Sequence, residues 1–101
     1  MQAWERNLEK YAELVVKVGV NLQPGQDLMI ESPLECLSLT RLIVDQAYKA
    51  GAGYVQVNWV DDAITRSRFV NGHEASIDYY PQWHADMLAR FAERGGAVLH
   101  I

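Results

Sequence analysis

An α/β fold is predicted, with helices flanking an open sheet of parallel strands in three layers, in the order α-β-α-β-α-α-β and incomplete at the C-terminal end. Three features of the 101-residue chain predict it. The apolar run Leu28-Met29-Ile30 is of the kind found in a parallel strand covered on both faces. It leads at once into Ser32-Pro33-Leu34-Glu35, which reads as an N-cap, a first-turn proline and an N3 glutamate, the pattern of a capping box. A strand followed directly by a capped helix is half of a βαβ unit. Finally, Ala97 to Ile101 is a second apolar run with no turn or helix after it.

The elements follow in order. Trp4, Leu8, Tyr11, Ala12, Val15 and Val18 recur at steps of three and four, which predicts an amphipathic helix ending near Gly19. Pro24-Gly25 marks a turn, because proline presets φ and glycine accepts positive φ. The first strand is expected at about Asp27 to Glu31. A second helix is expected to bury Cys36, Leu39, Ile43, Ala47 and Ala50 and to stop at Gly51, a natural C′ position. Tyr54 to Val60 alternates, with Val55, Val57 and Trp59 on one face and Tyr54, Gln56 and Asn58 on the other. This strand therefore has one less buried face or borders another domain. Asp61 or Asp62 caps a short helix running to about Val70, and Gly72 ends it. Pro81 opens a last helix with Trp83, Met87, Leu88 and Phe91 on one face, closed by Gly95-Gly96, and Trp83 is expected in the core. A third strand begins at Ala97, and its outer edge has no partner. Residues 1–101 thus read as a single N-terminal α/β domain, a fragment of a larger protein.

Composition excludes several classes. A chain of this length forms one domain at most and buries roughly 60–65% of its unfolded surface. Half the residues are hydrophobic and 22% charged, ordinary values for a globular protein. A net charge of -4 argues against nucleic-acid or anionic-membrane partners, which need clustered Lys and Arg. No apolar run is long enough to span a bilayer, and the start lacks a signal-peptide pattern. The single cysteine, Cys36, has no internal disulfide partner, and the cytoplasm is the default compartment.

Candidate chemistry is sparse. Open α/β sheets bind ligands beyond the carboxyl ends of their strands, and there the chain carries Glu31-Ser32 and Asp61-Asp62. Such a rim could hold a hard cation or a substrate amine. Helix caps and favourable helix-dipole contacts explain the same residues more simply. His73-Glu74 lacks the second histidine of H-E-x-x-H, since position 77 is isoleucine. His84 and Asp86 are two apart on a helix and face different sides. His100 lies in a strand. Cys36 reads as a small core residue. The turn after the first strand holds proline, which removes an amide that a bound phosphate would use.

The segments Asn21-Leu22-Gln23-Pro24-Gly25, Ala47-Tyr48-Lys49-Ala50-Gly51-Ala52 and Trp59-Val60-Asp61-Asp62 with Arg66 follow one another in order. Pro81-Gln82-Trp83 and the close from Glu93 to Ile101 complete the set. Together they resemble the N-terminal domain of the thermophilic metalloaminopeptidase family, of aminopeptidase T type, over nearly the whole chain from about Leu8. The resemblance implies a cytoplasmic homodimer roughly four times this length that removes N-terminal residues from peptides. It implies two divalent metals, zinc or cobalt, that activate a bridging water. The metal ligands and catalytic residues of that family lie in a C-terminal domain with no counterpart here. The resemblance therefore implies no catalytic or metal residue in this chain, no metal bound to it and no activity of it alone. Glu31, Asp61 and Asp62 are the candidates for the rim of the enclosed cavity. Two other classes stay open: a flavodoxin-like small-molecule binding module, and a non-catalytic module that dimerises through its open sheet edge.

Overall fold

The structure, a computed structural model, describes residues 2–101. Helix α1 (Ala3–Leu14) continues into a wider π-helical turn at Val15–Gly19, where the Val20 amide donates to the Val15 carbonyl at 2.8 Å. Asn21, not Gly19, takes the left-handed conformation that ends the helix, with φ 53°. Asparagine tolerates that region better than most residues. Only Ala12 and Val16 of this segment are buried. Trp4, Tyr11 and Val18 of the expected stripe are exposed.

The next turn follows expectation. Gln26 N–H donates to the Gln23 carbonyl at 3.0 Å, and Gly25 has φ 78°. Proline before a glycine at positive φ defines a type II turn. This turn is fastened to the next loop, because Gly25 N–H donates to the Gly51 carbonyl at 2.7 Å and Gly53 N–H to the Gln26 carbonyl at 2.9 Å. A Cβ on Gly53 would stand 2.7 Å from both the Gly25 carbonyl oxygen and Asp27 Oδ1, so only glycine fits.

Strand β1 (Leu28–Pro33) runs two residues further than expected and lies at the centre of a parallel sheet of order β2-β1-β3, with β2 at Val55–Val60 and β3 at Ala97–His100. Leu28 is in register with Val55 on one side and Ala97 on the other. Leu28, Ile30 and Val55 join Ala12, Val16, Leu22, Ile43 and Ala47 in one core between the sheet, α1 and helix α2 (Leu37–Lys49). Met29 points to the opposite face and is only 2% exposed, so that face is covered too at the start of the sheet. Gly51, at φ 94°, terminates α2 as expected.

The expected capping box does not form. Ser32 stays in the strand and, by the alternation that buries Leu28 and Ile30, turns toward α2. There its hydroxyl meets Thr40 Oγ1 at 2.8 Å, both side chains fully buried. The chain then makes a 3-10 turn at Leu34–Cys36 with Pro33 in the capping position and no side-chain cap. That turn offsets the helix, so its buried stripe is Thr40, Ile43 and Ala47, while Cys36 and Leu39 are half-buried.

Helix α3 (Asp62–Asn71) follows β2; its cap position is Asp61, whose side chain makes no capping bond, while the Asp61 carbonyl accepts from Thr65 N–H. A short helix absent from the expected order, α4 (Glu74–Ile77), is capped by His73, whose Nδ1 accepts from Ala75 N–H at 3.3 Å. Helix α5 (Gln82–Glu93) begins after Pro81 and ends at Gly95, φ 74°. No residue of α3, α4 or α5 is fully buried. Trp83 is 69% exposed rather than in the core, and the covered side of α5 carries Met87, Leu88 and Phe91. β3 is tied to the first turn by Gln26 Nε2 donating to the Gly95 carbonyl at 2.9 Å and by an Arg94–Asp27 ion pair at 3.2 Å. Among the described residues no helix is long and apolar enough to cross a membrane.

Candidate functional site at the strand ends

Parallel strands bring their carboxyl ends to one edge, and the register decides which side chains meet there. Glu31 is aligned with Asn58 of β2 and with His100 of β3, which makes one row across the sheet on the face away from α2. Glu31 and His100 are joined: His100 Nδ1 stands 3.1 Å from Glu31 Oε2, with the side chains 71% and 32% exposed. At the other end of the row, Gln56 Nε2 donates to Asn58 Oδ1 at 3.2 Å, and Asn58 Nδ2 is buried without an acceptor.

Beside this row lies a shallow cavity of about 190 Å³ lined by Glu31, Ser32, Pro33, Val60, His100 and Ile101. It sits where the connections from β1 and to β3 leave in opposite directions along the sheet, the position at which open α/β sheets form a crevice. Of the three rim candidates, Glu31 lines the cavity. Asp61 and Asp62 follow Val60 at the head of α3 and are not part of its wall. Ser32, the fourth oxygen of the expected rim, is committed to the interior by Thr40 and by the Pro33 carbonyl, which its hydroxyl reaches at 3.0 Å.

His100 is the site residue that spacing could have found. Glu31 and His100 each lie three residues into a strand whose first residues, Leu28 and Ala97, are paired. Pairing the two apolar runs in parallel from their first residues would have set them side by side. Cys36 is half-buried and has no bonded partner. His73 is used as a cap, and His84 packs edge-on against Tyr80 and Trp83 at ring separations of 5.7 and 5.8 Å. Among the described residues no three His, Cys, Asp or Glu side chains converge as a metal ion would require. The Glu31–His100 pair supplies two donors, short of a structural or catalytic metal site.

A second depression, of about 450 Å³, runs between α2 and the outer strand β2, with Val44, Val57 and Trp59 as its apolar walls and Arg41 and Asp45 at its lip.

The family model described as thermophilic metalloprotease (M29) matches residues 4–101. The chain is 46% identical to Aminopeptidase 2 of Geobacillus stearothermophilus over 101 residues, which is 100% of this chain and 24% of that protein. It is 37% identical to Aminopeptidase T of Thermus thermophilus over the same length, 25% of that protein. Among solved structures, wild-type AmpT from Thermus thermophilus superposes with a TM-score of 0.89 at 37% identity, over 97% of this chain and 25% of that one. The chain spans about a quarter of the length of the curated relatives it matches.

Proposed function

Because the chain belongs to the thermophilic metalloprotease (M29) family, we propose that it serves as the N-terminal scaffold domain of a metal-dependent aminopeptidase that removes N-terminal residues from peptides. The observation that carries this reading is the match over residues 4–101 to relatives named aminopeptidases, of which the chain spans a quarter. The described residues do not fit a metal centre: the strand-end row offers one carboxylate and one imidazole. In this reading the metals, two divalent ions of zinc or cobalt type, and the catalytic groups belong to a second domain. The present residues 1–101 form one domain that helps to enclose the cavity, with Glu31, Asp61 and Asp62 on its rim. The parent enzyme is a cytoplasmic homodimer, and residues 1–101 alone are inactive.

The surface supports a scaffold role. Ile64, Phe69, Val70, Tyr79, Tyr80 and Trp83 are all more than half exposed along α3 to α5. Concentrations of exposed apolar side chains mark interaction sites, and a second domain would cover this one.

The test is to read the coding region beyond Ile101, then to assay the longer product. A continuing frame rich in spaced Glu, His and Asp, encoding a product that cleaves aminoacyl p-nitroanilides and stops on chelation, is the expected result. A stop codon there, or a long product with no such activity, would overturn the reading. The second reading, a binding or pairing module, draws on the depression beside the free edge of β2. It predicts a metal-independent response of the chain to a small ligand or to its own concentration.

A further inference from the structure

We propose that the free edge of β2 and the depression beside it form a docking surface for a second copy of this chain, joined antiparallel across a two-fold axis at Asn58. The backbone sets the register. Leu28 N–H donates to the Tyr54 carbonyl at 2.9 Å, so the ladder to β1 uses the amides and carbonyls of alternate residues of β2, Gln56 and Asn58 among them. The backbone groups of Val55, Val57 and Trp59 therefore point away from β1. Val55 N–H is taken by the Tyr48 hydroxyl at 3.1 Å. The amides and carbonyls of Val57 and Trp59 have no partner among the described residues. An unpaired edge of this kind is a template for a further strand. Antiparallel pairing about Asn58 sets Val57 against Trp59 of the second copy, and each free amide then meets a free carbonyl. The residue on the axis is uncharged, so no like charges are brought together there.

The side chains fit the same axis. Val57 and Trp59 line the depression of about 450 Å³, and α2 supplies its other wall with Arg41, Val44 and Asp45. Helix α2 runs against β2, since Tyr48 in its last turn reaches Val55 at the start of the strand. Asp45 thus lies nearer Val57, and Arg41 nearer Trp59. The axis that pairs Val57 with Trp59 also brings Arg41 of each copy toward Asp45 of the other, so opposite charges meet twice. Among the described residues neither side chain forms an ion pair within its own chain. A strand spacing of about 4.8 Å sets the two α2 helices side by side on one face, at roughly the 8–10 Å of packed helices. The depression becomes the seam between them, filled by Val44 and Trp59 from both copies. Such a contact uses the same patch twice and closes on itself. A homodimer belongs to the aminopeptidase reading without a surface assigned to it; the surface here rests on the edge geometry of this chain alone.

The experiment is sedimentation velocity of the chain over a series of concentrations at low ionic strength, where exposed charge pairs are least screened. Wild type is expected to pass from monomer to dimer. Arg41→Glu sets like charges against each other across the axis and is expected to weaken the dimer by roughly tenfold or more. Asp45→Arg is expected to do the same. The double variant Arg41→Glu with Asp45→Arg exchanges the two charges and is expected to regain most of the lost affinity, which a contact elsewhere on the chain would not show. Trp59→Pro removes a free edge amide that takes no part in the ladder to β1 and is expected to leave a monomer, with circular dichroism reporting whether the fold is kept. A chain that stays monomeric throughout would overturn the proposal. So would a dimer that Arg41→Glu leaves unchanged, which would pair through the edge of β3 or the apolar side chains of α3 to α5 instead, or a charge exchange that restores nothing. Absence of peptidase activity in a longer product would sink the aminopeptidase reading and leave this one standing.

Discussion

Replacing Ser32 by alanine removes the acceptor of a buried hydroxyl. Ser32 has one hydroxyl proton, and its bond to the Pro33 carbonyl at 3.0 Å uses it. The 2.8 Å contact with Thr40 is then made by the Thr40 hydroxyl donating to Ser32. Thr40 is 1% exposed, so after Ser32→Ala water cannot replace the lost acceptor. A buried polar group left without its partner costs about 1–3 kcal/mol. Thr40→Val has a smaller effect, about 0.5–1.5 kcal/mol, because Ser32 keeps its bond to Pro33. In the double variant both hydroxyls are gone and nothing is orphaned, so its cost falls short of the two single costs added together. Urea denaturation followed by circular dichroism measures all three, with the midpoint shifting and the slope unchanged. A stability equal to wild type for Ser32→Ala, or strict additivity in the double variant, would refute the reasoning and imply that Thr40 finds another partner on its own helix.

Ile43→Ala empties part of the core between α2 and the sheet, where Ile43 is 1% exposed, and is expected to cost about 2–5 kcal/mol in the same denaturation measurement. Gly53→Ala places a methyl 2.7 Å from two oxygens and is expected to destabilise by about 1–3 kcal/mol, whereas alanine at Gly19, where nothing lies within 4 Å, should be tolerated; a thermal melt separates the two. The Glu13 carboxyl sits below its ordinary value of 4.5 because Lys17 donates a hydrogen bond to it and adds its charge. A depressed carboxyl stabilises the fold above the ordinary carboxylate range, and that contribution is lost as pH falls through the lowered value. Lys17→Met should therefore raise the Glu13 titration midpoint in a carboxyl NMR experiment, while high salt narrows the difference at this exposed site.

Much of the architecture was legible because it depends on local chemistry. Pro24-Gly25 can make few turns, Gly51 and Gly95 stand where a helix must end, and the alternation of Val55, Val57 and Trp59 names a strand face. What was not legible depended on contacts across the chain. Ser32 carries every local mark of an N-cap, yet the central position of β1 draws it into the sheet, where Thr40 offers a better partner than the helix amides. Cys36 missed the buried stripe because a 3-10 turn, invisible in hydrophobic spacing, rotates the start of α2. Trp83 lies at helical spacing with Met87 and still faces outward, since α5 has little in this chain to pack against. Of the strand-end cavity's lining, Glu31 could be named from its place at a strand end. Placing His100 beside it takes the further step of pairing two distant apolar runs in parallel from their first residues, Leu28 and Ala97.

The placing of β1 between its two neighbours divides the chain unequally. Among the described residues every buried apolar side chain lies between Ala12 and Val55, so the first half can close its interior with neighbours near in sequence. The rest joins through links such as the Gln26–Gly95 hydrogen bond, which spans 69 residues, and closing so long a loop carries an entropic cost that delays such contacts. Assembly should therefore begin with the α1-β1-α2-β2 portion, with β3 laid down last. In native-state hydrogen exchange the β1–β3 amides, Ala97 and Ile101 among them, should open together and at lower free energy than those joining β1 to β2. The cavity wall built from His100 and Ile101 would then assemble and dissolve with that outer strand while the opposite side of the sheet stayed closed.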